Sequence, residues 1–300
     1  MKKFLASLLG VVVFFLLVPT CTIFIARDFM SEKTIGEVLD IAPELIDEES
    51  EGKGLSETLI SELESIDPIF AKQLDEERLQ EELVKFITSV FETLGNPKSE
   101  YIFDTTGIKE FLKQAVNKYE EESGVTISEE DFNELFKSID EINKTKAEFA
   151  SEYGDLVTIF EILYSKEILI TLISLIILCV IIMFILLRDI SITLLKVKTP
   201  FLVNGIGTIL VGGGFASVLN SIKTNTESLP TRLINVLTLP FYKIGFICIG
   251  IAIILIIISK VLKHNRSISN SNAALENLGN ENYIPNTNIT NTPYNGYQNH

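Results

Sequence analysis

Residues 168–187 read ILITLISLIILCVIIMFILL, twenty positions without a charge, a proline or a glycine. Lys166 and Glu167 bound the run on one side, Arg188 and Asp189 on the other. As a helix it would be about 30 Å long, the thickness of a bilayer's hydrocarbon layer. The run is therefore predicted to cross a membrane. It also divides the chain, with an acidic, polar region before it and a mostly apolar region after it.

Charge follows the same division. Residues 26–167 hold 36 Asp and Glu against 14 Lys and Arg, a net of −22, while the rest of the chain has 4 acidic and 11 basic residues. One acidic domain is thus attached to mildly basic segments, and the net of −15 for the whole chain hides the contrast. A mean hydropathy of +0.32 fits a membrane protein with one polar part. Cys21, Cys179 and Cys248 all fall in apolar runs. The acidic domain therefore has no disulfide framework. Each cysteine is expected to behave as a small apolar side chain.

Met1-Lys2-Lys3 precedes a second apolar run, 4–25. A basic start and an apolar run also open a secretory signal peptide. This run has 22 residues, longer than an ordinary signal core, and no A-x-A-like site follows it. We read it as a retained signal anchor, ahead of a cleaved signal or lipidation at Cys21, where Pro19 and Thr20 fit a lipidation motif poorly.

Between the two runs, apolar residues recur at helical spacing. Leu79, Leu83, Ile87, Val90, Phe91 and Leu94 share one face of a helix predicted over 76–94, stopped by Gly95-Asn96-Pro97. Ile108, Phe111, Leu112, Ala115, Val116 and Tyr119 mark a second, ended by Gly124. A third begins at Ser128, with Phe132, Leu135, Phe136 and Ile139 as its apolar face. Shorter helices are expected over 34–41 and 55–66. The one strand-like triplet is Tyr101-Ile102-Phe103. Helices with one apolar stripe and one acidic face must bury the stripes together, so 26–167 is expected to be a helical bundle around one core. The acidic runs 47–51 and 75–77 read as solvated surface. From Lys146 onward the helical pattern leads into the span without a proline. One continuous helix over 146–187 is expected, with Gly154 its weak point.

After the first long run come a loop over 188–200 and a glycine-rich span over 201–219. There Gly205, Thr208, Gly212 and Ala216 lie three or four apart, a small-residue stripe that lets helix backbones approach closely in a membrane. A loop over 220–239 and a last span over 240–259 follow, Pro240 opening the span and Gly245 and Ala252 giving it a second small face. The remainder, 260–300, is rich in Asn, Ser, Thr, Gly and Pro and is expected to be a disordered tail. Lys2, Lys3, Arg188, Lys196, Lys198, Lys260, Lys263 and Arg266 fall on one side of the four spans, Lys223 and Arg232 in the loop opposite. The side richer in Lys and Arg faces the cytoplasm. Both termini are then cytoplasmic and 26–167 extracytoplasmic, in a multi-pass protein of the cell membrane.

The residue inventory narrows the chemistry. The acidic domain has no histidine and no cysteine, which removes Ser-His-Asp and Cys-His catalysis and histidine-based zinc sites there. No HExxH, no phosphate loop and no GxGxxG occurs. A glycosidase needs a placed carboxylate pair in an aromatic cleft, and the chain has no tryptophan. An EF-hand aligned on Gly124 and Glu130 would put Tyr119 where the first aspartate belongs, and it fails. The span centres carry no ionisable residue, which disfavours a coupled transporter or an intramembrane protease. A strongly negative domain excludes nucleic acid and favours cationic partners at close range.

The expected fold class is an all-α membrane protein. Its extracytoplasmic helical bundle is inserted between the first and second of four transmembrane helices, and its C-terminal tail is disordered. No catalytic residue, cofactor or metal site is expected. The expected function is non-enzymatic: the acidic domain binds a partner or ligand, as a sensor, scaffold or accessory subunit. Expected partners are a protein in or outside the membrane, the lipid bilayer, and a second copy of the chain. The alternative is an oligomeric channel or passive pore built on the glycine-rich span.

Overall fold

Every regular element in the computed structural model is a helix, and no strand occurs among the described residues, which are 2–45, 54–96, 98, 105–128, 130, 133, 137, 146–226 and 230–281. In chain order the helices are α1 (Lys2–Phe29), α2 (Glu32–Ile41) with a 3-10 turn (Ala42–Leu45), α3 (Leu55–Ile66), α4 (Pro68–Ala71), α5 (Glu76–Gly95), α6 (Thr106–Ser123), α7 (Lys146–Tyr164), α8 (Lys166–Leu187), α9 (Ile190–Thr226) and α10 (Thr231–Glu281). The expected third helix from Ser128, the triplet at 101–103 and the acidic run 47–51 lie outside or almost outside the described residues.

Four helices, α1, α8, α9 and α10, are long and apolar enough to cross a membrane. Their exposed positions carry large apolar side chains, such as Phe15, Ile170, Leu210 and Ile254, as lipid contact requires. Ala6, Val13 and Leu17 of α1 pack with Ile176, Cys179 and Met183 of α8 and Val197 of α9. The broadest contact joins α9 to α10.

The boundaries of the last two helices differ from the expectation. The segment 188–200 is helical from Ile190, and Pro200 lies inside α9. Within 220–239, residues 220–226 and 231–239 are helical, and Pro240 lies inside α10 rather than opening it. At 37 and 51 residues, α9 and α10 would be about 55 and 76 Å long, well beyond the hydrocarbon thickness. The first turns of α10 reach the acidic part of the chain, where Leu233 and Val236 pack on Ile41 of α2. A proline inside a membrane helix is tolerated when neighbours re-satisfy the freed backbone. Regular structure also runs past Ser259, where composition predicts a tail without any, to Glu281. No proline or glycine interrupts 251–278, and Ser and Asn cost a helix less than 1 kcal/mol each. Residues 282–300 lie outside the described part.

The acidic region is helical as the periodicity predicts, but its packing is divided. Leu74, Phe111 and Ala115 form one buried cluster with Ile60, Leu63 and Phe70 around them. Leu94 and Val157 form another with Val90, Phe149 and Phe160. Among the described residues these are two small cores, not the single one expected. Local signals are respected: the Asp75 carboxylate caps α5 by accepting from Arg78 N at 2.9 Å, and α6 ends at Gly124 with φ of 68°.

The expected continuous helix over 146–187 is not formed. Tyr153, next to Gly154, leaves helical geometry at φ −130° and ψ 42°. The chain breaks again at Ser165, whose ψ of 114° ends α7. Ser165 then caps α8 by accepting from Ile168 N at 3.1 Å. A side-chain oxygen placed to take an orphan helix N–H makes a new N-terminus there, and no proline is required.

Candidate functional site

The most structured polar feature is the junction where the acidic helices meet the ends of α1, α8 and α10. Arg27 lies in the last turn of α1, just beyond the apolar run. Its Nε donates to the carbonyl of Leu163 at 2.7 Å and its Nη2 to that of Ser165 at 3.3 Å. The final carbonyls of a helix have no partner within it, and a cation there meets the negative end of the dipole. Arg27 therefore caps α7 from a different part of the chain. It ties the point where the chain leaves α1 to the point where it enters α8.

Three more contacts surround this tie. A Cβ on Gly95 would overlap the Tyr164 side chain, so α5 approaches α7 closely only because position 95 has none. α5 ends at Gly95, where the stop at Gly95-Asn96-Pro97 is expected, with Asn96 as an extended rather than left-handed cap. Lys243 of α10 pairs with Asp28, beside Arg27. Arg232 of α10 lies 3.9 Å from Asp40 of α2, above a buried contact of Ile41 with Leu233 and Val236. The Phe29 and Phe241 rings meet edge to face at 5.8 Å.

Beside the tie lies an open cleft of about 700 Å³, bounded by the end of α5, the end of α7 and the start of α8. Glu92, Glu161 and Glu167 line it with Lys98, Lys166 and Tyr164. Burial, together with the charge of Glu92, pushes the Tyr164 hydroxyl up to about 12, against an opposing pull from Arg27. The Tyr164 phenol therefore stays a neutral donor throughout the physiological range. Ser165 donates to Glu167 Oε2 at 3.1 Å while accepting from the Ile168 amide, which makes it a cap rather than a nucleophile. Among the described residues, no three His, Cys, Asp or Glu side chains converge as a metal ion would require. The cleft can present carboxylates and one phenol to a cationic or hydrogen-bonding partner.

The small residues of the apolar part are placed as follows. Gly205 and Gly245 face each other: a Cβ on Gly205 would lie 2.7 Å from the Gly245 carbonyl oxygen, and one on Gly245 2.9 Å from that of Gly205. Gly212 sits under Phe241, whose Cβ would be 2.6 Å from an added methyl. Ala252 is fully buried. Thr208 and Ala216 are half-buried. Gly207 and Gly214, which lie outside the stripe, have open space beside them, while both glycines of the stripe pack on α10. At the other end of this helix pair, Ser191 and Ser259 exchange hydroxyl-to-carbonyl bonds at 2.8 and 2.9 Å. Cys21 and Cys248 are both buried, with their sulfurs 3.6 Å apart.

Sequence reading missed the junction. The Ser165-Lys166-Glu167 triplet before the apolar run is an N-cap signal that could have revealed the break. Nothing local to Arg27 announces a carbonyl 136 positions away.

The fold and the junction together define an all-helical chain with four helices fit to span a membrane and an acidic helical insert between the first two. Compared with protein-family models, curated proteins and solved structures, the chain matches none.

Proposed function

We propose that the protein is a non-enzymatic, multi-pass protein of the cell membrane whose acidic helical domain binds a partner outside and passes the bound state to the membrane helices. The observation that carries this reading is the Arg27 tie, with its guanidinium across the carbonyls of Leu163 and Ser165. A domain that served only as a tethered binder would need no cross-chain cap at its root. Here both membrane entries of the insert are clamped together, and α10 joins them through Asp28–Lys243 and Asp40–Arg232. The broken helix at Tyr153 and Ser165 makes α7 a lever between two hinges rather than a rod.

The eight basic residues on one side support an orientation with both termini in the cytoplasm and 26–167 outside. The burial of α1 against α8 and α9 supports a retained anchor. The net of −22 on the insert favours a cationic protein surface as partner.

Crosslinking in native membranes, followed by purification of the full chain, tests the proposal. A partner whose recovery depends on the acidic domain and falls with added salt is expected. Recovery of the chain alone, or robust turnover by the full-length protein on hydrolase or transferase substrates, would overturn it.

The second reading, an oligomeric pore, draws on Gly207 and Gly214, which leave open space on α9. Its motivating stripe is partly consumed, because Gly205 and Gly212 pack against α10. Solute flux in liposomes at the level of empty vesicles, across oligomeric preparations, would dismiss it.

A further inference from the structure

The helices α1 and α9 run in the same direction at a constant register. Lys196 Nζ donates to Ser7 Oγ at 2.9 Å, and seven and eight residues further along, Asn204 Nδ2 donates to the Phe14 carbonyl at 3.2 Å. Between these two cross-links lies a groove of about 360 Å³ lined by Gly10, Val11, Phe14, Thr199, Pro200 and Val203. It extends about 10 Å along the helices. Its edges are open, since Val11 and Val203 are each about half exposed. An ammonium group therefore stands at one end of an apolar groove that faces the lipid.

The setting of Lys196 is the informative part. Its hydrogen-bond partner is a neutral hydroxyl, and an ammonium carries three donors. Asp189, the acidic residue nearest in sequence, is occupied by Arg266 and by the amides of Ser191 and Ile192. The same end of the helices carries Lys2, Lys3, Arg188, Lys198, Lys260 and Lys263. Pro200 has no N–H to give the Lys196 carbonyl, so the helix is thinned where the groove begins. Charge at the mouth and apolar walls below it match one chemistry, a phosphate head with an acyl chain.

We infer that this groove holds an anionic phospholipid. Its phosphate accepts from Lys196, Ser7 and Thr199, and one acyl chain lies along Gly10, Val11, Phe14 and Val203. The surrounding lysines add a sequence-independent pull toward negative headgroups, and Lys196 selects the bound position. The site rests on the membrane-spanning reading of the four helices and is independent of any partner outside.

The test uses the full chain, delipidated in detergent and offered phosphatidylglycerol and phosphatidylcholine with identical acyl chains, with bound lipid read by native mass spectrometry. Wild type should retain one phosphatidylglycerol, preferred by about fivefold or more, the weight of one lysine at a membrane surface. Lys196→Gln should bring the two lipids to near parity. Gly10→Leu should reduce retention of both, because its side chain enters the groove where no atom lies within 4 Å of an added Cβ. Lys260→Gln, at the same end but outside the groove, should leave the preference intact. Unchanged preference in Lys196→Gln, or equal retention of both lipids by wild type, overturns the site. Release of the chain by alkaline extraction of membranes would instead overturn the membrane-spanning reading itself.

Discussion

Arg27 shows how one side chain can set the geometry of a junction. Replacing it with Gln removes the cation from the end of α7 and leaves the Leu163 carbonyl short of its donor, while the Ser165 carbonyl keeps the Leu169 amide. A cost of about 1–2 kcal/mol is expected at this partly buried site. Hydrogen exchange at residues 163–168 should report it as faster opening, while α9 and α10 stay protected. Arg27→Lys should recover only part, because a single ammonium cannot span two carbonyls as a guanidinium fork does. Unchanged exchange in Arg27→Gln would show that the cap is incidental. Tyr164 supplies a second residue-scale expectation. Its folded pKa of about 12 lies above the ordinary tyrosine value of about 10. Its contribution to stability is therefore complete below pH ~10 and is lost as pH rises through about 12. The phenolate absorbance of wild type minus that of Tyr164→Phe isolates this titration. Glu92→Gln should lower the midpoint, since the neighbouring charge is one of the two influences that raise it. A midpoint near 10 in wild type would mean the ring is not enclosed.

Among the elements, the apolar helices and several acidic ones were legible from the sequence, and their ends were not. The spacing that predicts a helix over 55–66 matches α3, and Gly124 ends α6 in the left-handed conformation the sequence suggests. The expected 146–187 helix failed for a reason that periodicity does not see. Two helical patterns with compatible phase read as one, and the competing term is a single serine whose hydroxyl takes the Ile168 amide. The stop predicted at Gly95-Asn96-Pro97 matches the end of α5, but the sequence does not show that Gly95 also admits Tyr164. The stripe of small residues was legible, and its two glycines, Gly205 and Gly212, lie tightly against α10; what the sequence does not show is that Gly205 meets Gly245 itself. Gly205→Val should force α9 from α10, because the new side chain meets the Gly245 carbonyl and Ile249. A loss of about 1–3 kcal/mol is expected from such overpacking. Gly207→Val, with open space beside it, should leave thermal stability in detergent close to wild type. Equal loss in both variants would mean the α9–α10 contact is not set at Gly205.

For the whole molecule, the acidic insert is held to the membrane helices at several points rather than by one linker. Asp28–Lys243 joins α10 to the last turn of α1, and Asp40–Arg232 joins it to the end of α2. Exposed ion pairs contribute little individually, commonly below about 1 kcal/mol. Their weight here comes from acting beside the apolar contact of Ile41 with Leu233 and Val236. Asp28→Lys should loosen this seam, seen as faster proteolysis of the acidic helices in intact membranes. Adding Lys243→Asp should restore resistance. If the double variant is as sensitive as the single, the pair does not couple the two layers.

Sequence alone determined that four segments are apolar enough for a bilayer and that the region between the first two is acidic and helical. These properties depend on composition and local spacing, which are summed over short windows. Tertiary structure decided that the start of α10 meets α2 and that Arg27 closes the junction. Each of these depends on a partner 136 or more positions away, supplying a carbonyl or an apolar face. Such partners leave no local trace, because an arginine at a helix end reads the same whether it faces water or the unfilled carbonyls of another helix.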